Sequence, residues 1–168
     1  MTTMTDATRT PATAPTTGRG EPRWFIHNLV RVLVDGDETG GRSALTEVIG
    51  APGDMPPLHV HHRDDETFIV LEGTVRVWIG DREAVAGPGE AVFAPRGVPH
   101  AYRVEPGAPA RIYVASAPSG FERFVLEASV PGAAPGLPPA DIEVDPARLA
   151  EIAGRHGIEI LGPPGMLP

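Results

Sequence analysis

From Trp24 to Ala115 the apolar residues come in short Val- and Ile-rich runs, loosely alternating with polar ones and broken by Gly and Pro. That period belongs to half-buried strands. Trp24 to Val34 (WFIHNLVRVLV) reads as one strand or a bent pair ending at Asp35-Gly36, and Ser43 to Ile49 as another, closed by Gly50-Ala51-Pro52-Gly53. A histidine-bearing strand follows. Asp65 to Glu72 and Thr74 to Ile79 meet at Glu72-Gly73, which predicts a hairpin, and Gly80-Asp81 turns the chain into Arg82 to Val85 to extend it as a meander. Ala91 to Ala94, His100 to Val104 and Ala110 to Ala115 complete roughly nine or ten strands, the spacing of sandwiches and barrels.

After Pro118 the period changes. Phe121, Phe124, Val125 and Ala128 recur at helical intervals before Pro131-Gly132. Asp145-Pro146 is an N-cap followed by proline at the first helical position, predicting a second short helix that stops near Gly157. The stretch IEILGPPGMLP is expected to add one packed segment and a loose tail. Three regions follow: residues 1–21, a Thr/Ala/Pro-rich tail expected to be disordered; 22–130, the barrel; and 131–168, a linker, short helix and tail packing on it.

Composition narrows the chemistry. With 168 residues and 41% hydrophobic content the chain closes one core without staples, and the absence of cysteine removes disulfides and thiolate ligands together. Any bound metal must be held by nitrogen and oxygen. A net charge of −8 with no basic run argues against a nucleic-acid partner. Neither a membrane span nor a secretory leader is visible, so the cytoplasm is the expected compartment.

The candidate chemistry lies in GDMPPLHVHHRDDETFIVLEG, Gly53 to Gly73. Side chains two apart on a strand share a face, so His59 and His61 form a pincer while Val60 points away. The polar run His62 to Asp65 then turns the chain, bringing Glu66 back from a neighbouring strand. In GEAVFAPRGVPH a Pro/Gly corner delivers His100 to the start of a further strand. Three imidazoles and one carboxylate suit a divalent first-row metal (iron, manganese, nickel, cobalt or zinc) with positions left open for substrate. The bland alternative is a polar core network without metal, although buried imidazoles lacking partners are costly.

The spacing Gly53-(5)-His59-x-His61-(4)-Glu66-(6)-Gly73, followed by Gly89-(5)-Pro95-x-Gly97-(2)-His100, resembles both signature motifs of the cupin superfamily. The resemblance implies an all-β fold, a double-stranded β-helix (jelly-roll) barrel with short C-terminal helices, in which His59, His61, Glu66 and His100 bind one metal. It also implies a homodimer. Where the second motif often ends in Asn this chain has Val104, on the same strand face as His100 and Tyr102, which favours an aromatic or terpenoid ligand over a sugar or oxalate.

The wording PPLHVHHRDDETFIVLEGTV and PSGFERFVLE further resembles small bacterial quercetin-2,3-dioxygenase-like cupins. That resemblance implies a dioxygenase acting on an enolisable, flavonol-like aromatic, with dioxygen as co-substrate and Glu66 both ligand and proton acceptor. The competing expectations are a non-oxidative isomerase, cyclase or lyase and a binding module without turnover. Substrate contacts are expected from Trp24, Phe68, Val70, Tyr102 and Val104, with Phe25 and His27 as further candidates. His62, Arg96 and Arg103 read as surface residues, Asp64 and Asp65 as a charged turn able at most to orient an imidazole, and His156 as a helix C-terminal charge.

Overall fold

A computed structural model describes residues 20–132 and 136–168. The elements run β1 (Arg23–Phe25), β2 (Asn28–Val34), α1 (Gly36–Thr39), β3 (Ala44–Gly50), β4 (Pro57–His61), β5 (Asp65–Glu72), β6 (Val75–Ile79) and β7 (Arg82–Ala86). They continue with β8 (Ala91–Ala94), β9 (His100–Val104), β10 (Ala110–Ala117), α2 (Phe121–Ala128), β11 (Val130–Pro131), α3 (Pro146–Arg155) and β12 (Ile158–Pro164). All pairings are antiparallel, in a seven-stranded sheet β11-β1-β2-β3-β10-β5-β8 and a five-stranded sheet β12-β4-β9-β6-β7. This is the jelly-roll barrel that the strand pattern and the motifs predict. Residues 1–19 of the expected tail lie outside the described residues.

The core sits between the sheets because strand side chains alternate. On β5, Glu66, Phe68 and Val70 turn inward and are buried, whereas Thr67, Ile69 and Leu71 on the other face stay partly exposed. On β10 the inward set is Ala110, Ile112, Val114 and Ser116. The Trp24–Val34 run is a bent pair: β1 and β2 register Phe25 against Asn28 around Ile26-His27.

One expected pairing is absent. β5 and β6 do not form a hairpin; β5 lies between β10 and β8, and β6 between β9 and β7. Gly73 marks a corner where the chain leaves one sheet for the other. It has φ 73°, and a Cβ there would stand 2.5 Å from the Pro109 carbonyl oxygen. A two-residue glycine turn reads as a hairpin locally, but the partners of β5 are chosen by non-local burial of its inward face. The Gly80-Asp81 hairpin does form, with Ile79 opposite Arg82.

The C-terminal third closes one side of the barrel. The cap expected at Asp145 is present, its carboxylate accepting from the Ala147 and Arg148 amides at 3.0 and 3.1 Å. Leu149, Ile152 and Ala153 bury the inner face of α3, and Phe124 and Val125 that of α2. The packed segment expected after α3 is β12, which lies directly alongside the histidine strand β4. Among the described residues no helix is long and apolar enough to cross a membrane.

Candidate metal centre

His59 and His61 project from β4, and His100, opposite His59 in register, projects from β9. Glu66 arrives from β5, a strand of the facing sheet rather than a neighbour of β4, so the four groups converge across the barrel interior. Their ligand atoms all lie within 4.8 Å of one another. His61, Glu66 and His100 are each 1 or 2% exposed.

The Nδ1 atoms of all three rings are engaged. Nδ1 of His59 donates to the Pro57 carbonyl at 2.8 Å and Nδ1 of His100 to the Val98 carbonyl at 3.0 Å. Nδ1 of His61 donates to Asp64 Oδ2 at 2.9 Å. A carbonyl or carboxylate only accepts, so the proton of each neutral ring sits on Nδ1 and the lone pair on Nε2. Asp64, 1% exposed, thus orients an imidazole from within the turn. Asp65 instead holds Arg96 on the surface at 2.8 Å.

This donor set calls for a cation. His100 Nε2 and His61 Nε2 stand 3.1 and 3.5 Å from Glu66 Oε2, while His61 Nε2 and Glu66 Oε1 are buried without a hydrogen-bond partner. Lone pairs facing a carboxylate repel unless a proton or a metal ion lies between them. Burial pushes the Glu66 carboxyl up, but His61, the His100 hydrogen bond and His59 outweigh it and hold it down at about 2. Burial, then the charges of His100 and His61, push His59 down to about 3. Burial lowers His61 too, yet Glu66 and Asp64 raise it above its usual value. Three nitrogens and one oxygen at this spacing fit a divalent first-row metal ion.

Beside the centre is a cavity of about 50 Å³ reached by His59 and Glu66 and walled by Phe25, Phe68, Tyr102, Phe121 and Phe124. Phe121 lies beside His61 with ring centroids 5.6 Å apart and planes tilted by 48°, and Phe68 lies between His100 (6.1 Å) and Tyr102 (5.7 Å). Leu149 of α3 and Ile158 and Ile160 of β12 close the wall. Ile26 sits at the rim with φ 56°, a left-handed conformation that costs a β-branched residue about 1–2 kcal/mol.

Among the expected substrate contacts, Phe68, Tyr102 and Phe25 face this cavity. Trp24 does not: it lines a separate groove with α3, its indole donating to the Gly136 carbonyl at 3.0 Å. Val70 and Val104 are packed in the adjoining core at 0 and 1% exposure. His62 is exposed and pairs with Glu159, Arg103 pairs with Glu105, His27 is exposed, and His156 caps α3 while bonding Glu127 at 2.6 Å. Asn28, buried on the cavity wall, is not among the residues the sequence pointed to; its one signal is a lone amide in a largely apolar run that also holds His27 and Arg31.

Residues 46–116, which hold the four ligand candidates, match the Cupin domain family. Over 88 residues the chain is 31% identical to quercetin 2,3-dioxygenase of Bacillus subtilis (strain 168), covering 52% of this chain and 26% of that protein. Over 71 residues it is 35% identical to mannose-1-phosphate guanylyltransferase 2 of Escherichia coli O157:H7, covering 42% and 14%. The chain thus spans about a quarter or less of these curated relatives, whose names describe unrelated activities. Among solved structures, KdgF from Halomonas sp. shares the fold at a TM-score of 0.52 and 16% identity, over 58% of this chain and 86% of that one. With its motif spacing, two-sheet barrel and converged ligand set, the chain carries a cupin domain over residues 46–116.

Proposed function

We propose that the chain is a metal-dependent cupin enzyme, a dioxygenase acting on an enolisable aromatic small molecule of flavonol-like chemistry. The observation that carries this reading is the juxtaposition of a buried three-histidine, one-carboxylate centre with a cavity walled by aromatic rings. The partial likeness to quercetin 2,3-dioxygenase supports the choice of reaction. His59, His61, Glu66 and His100 would hold the metal, which when bound supplies a Lewis acid for an enol oxygen and a site for dioxygen.

The protein groups supply orientation and dryness. Asp64, the Pro57 carbonyl and the Val98 carbonyl fix the three rings, so little reorganisation accompanies binding. Phe121 and Phe68 exclude water beside His61 and His100. Glu66 Oε1, without a partner, is the atom that would take the enol proton. A carboxylate held at about 2 is a weak base, so it accepts a proton only from an enol acidified by coordination.

Cavity size favours a second reading. Pockets for drug-sized ligands hold roughly 300 Å³ or more, against about 50 Å³ here. A flavonol therefore requires α2, α3 and β12 to part, whereas a smaller enolisable substrate handled without oxygen, by an isomerase, cyclase or lyase, needs less opening. An oxygen electrode decides between them. Metal-loaded protein given a panel of flavonols and smaller enols is expected to take up dioxygen in step with substrate loss; turnover that proceeds equally under anaerobic conditions rejects the dioxygenase and leaves the Lewis-acid enzyme.

A further inference from the structure

The end of the cavity away from the ligands is polar in a way the proposed chemistry leaves unused. Asn28 enters it from β2, and its Oδ1 is buried without a hydrogen-bond partner. Tyr102 enters from β9, 8% exposed, and among the described residues nothing hydrogen-bonds its hydroxyl. Behind Asn28, outside the cavity wall, Asp54 Oδ2 is a further buried oxygen without a partner. Burial pushes the Asp54 carboxyl up, and the Asn28 side chain beside it opposes that push. Unpaired buried polar groups are destabilising, and they are retained where something else satisfies them.

The fold gathers these groups. Gly50 leaves the room they occupy: a Cβ there would stand 2.8 Å from Asn28 Oδ1, 3.0 Å from Val104 Cγ2 and 3.4 Å from Asp54 Oδ2. The Asp54 carbonyl accepts from the Val104 amide at 2.9 Å, locking this corner to β9. Along the inward face of β9 the order is therefore His100 at the centre, Tyr102 next, and Val104 at the Asn28 corner. Alternate strand residues lie about 7 Å apart, close to the span of one aromatic ring with a substituent at each end.

Resting on the metal-dependent reading above, we propose that Tyr102 and Asn28 form a second anchor, which selects substrates carrying a hydroxyl across one aromatic ring from the metal-binding oxygen. A hydroxyl both donates and accepts, so it takes the Tyr102 O–H and satisfies the Asn28 amide in either orientation. A bare hydrocarbon end leaves the Tyr102 hydroxyl and the Asn28 amide oxygen unpaired, and the ring between the two anchors lies against Phe68.

The test uses the zinc-loaded full chain and two probes, benzoate and 4-hydroxybenzoate, titrated by calorimetry. The hydroxylated probe is expected to bind about tenfold more tightly. Tyr102→Phe is expected to remove that advantage, so that the two probes bind the variant equally, with the melting temperature unchanged since the lost hydroxyl had no partner. Asn28→Leu should reduce the advantage as well, and Tyr102→Phe decides the question if the Asn28 variant does not fold. Equal affinity for the two probes, or a preference that survives Tyr102→Phe, overturns the anchor. Benzoate binding that persists after zinc is stripped overturns the metal-dependent reading instead, and failure of both probes to bind overturns both.

Discussion

Glu47 and Glu66 are two glutamates of the seven-stranded sheet, 1 and 2% exposed, on opposite faces of it. On the outer face Glu47 is fully matched: Arg31 donates to one oxygen and Arg111 to the other, each at 2.7 Å. Glu66, facing the barrel interior, has one oxygen crowded by two imidazoles and the other without a partner. Both carboxyls are held below their usual value against the upward push of burial, Glu47 by Arg111 and Arg31 and Glu66 by histidines. The partners of Glu47 are permanent cations, whereas those of Glu66 are imidazoles that hold it down only while they carry a second proton. A matched buried charge holds sheets together; an unmatched one holds a place for something else.

The largest effect expected from breaking this contrast is on metal. Structural zinc sites bind with about 10–16 kcal/mol, so one ligand of four is worth about 2.5–4 kcal/mol. Glu66→Ala or His100→Ala should therefore weaken metal binding by roughly 10²- to 10³-fold, read from metal content after purification and from competition with a chelator. Retention of metal by both variants would reject the site.

Next comes Glu47→Gln, which takes from Arg31 its carboxylate and leaves Arg111 only Glu72, and should cost about 3 kcal/mol in urea denaturation while metal content stays unchanged. The pH dependence has a definite sign. Because the folded-state pKa of Glu47 is depressed, its stabilisation is present above the ordinary value of 4.5 and is lost as pH falls through the folded value. The wild type and Glu47→Gln should thus differ by a constant amount near neutrality and converge in acid. A gap that widens below pH about 4 would contradict the pairing.

Stripping metal from wild-type protein held at about 100 times its dissociation constant should lower stability by about 2.7 kcal/mol, and the same treatment should leave Glu66→Gln unmoved. The smallest effect belongs to Asp64→Asn. Losing the carboxylate that orients His61 should weaken metal binding about tenfold, with the melting temperature of the metal-free protein little changed.

Much of this was legible in the chain because local rules governed it. The strand periods, the Asp145-Pro146 cap and the two short motifs, one carrying His59, His61 and Glu66 and the other His100, each depend on residues near one another in sequence. What escaped depends on distant partners. Glu72-Gly73 has the composition of a hairpin turn, but only the pairing of β5 with β10 and β8 shows that it joins two sheets. Trp24 carries the aromatic character of a pocket residue, and its neighbours across the fold, Gly136 and α3, place it elsewhere. Asn28 is one polar residue in a strand until Gly50 and Val104 are seen to surround its amide oxygen.

The pairing of β12 with β4 sets an order of events in the life of the chain. Ile160 lies in register with His59, about a hundred residues earlier. Until that late segment has been synthesised and docked, the strand carrying two of the four metal-binding candidates has an open edge beside them, and the loop to be closed is among the longest in the chain. Metal acquisition should accordingly trail the formation of the β6–β7 hairpin and finish only when the last strand seats.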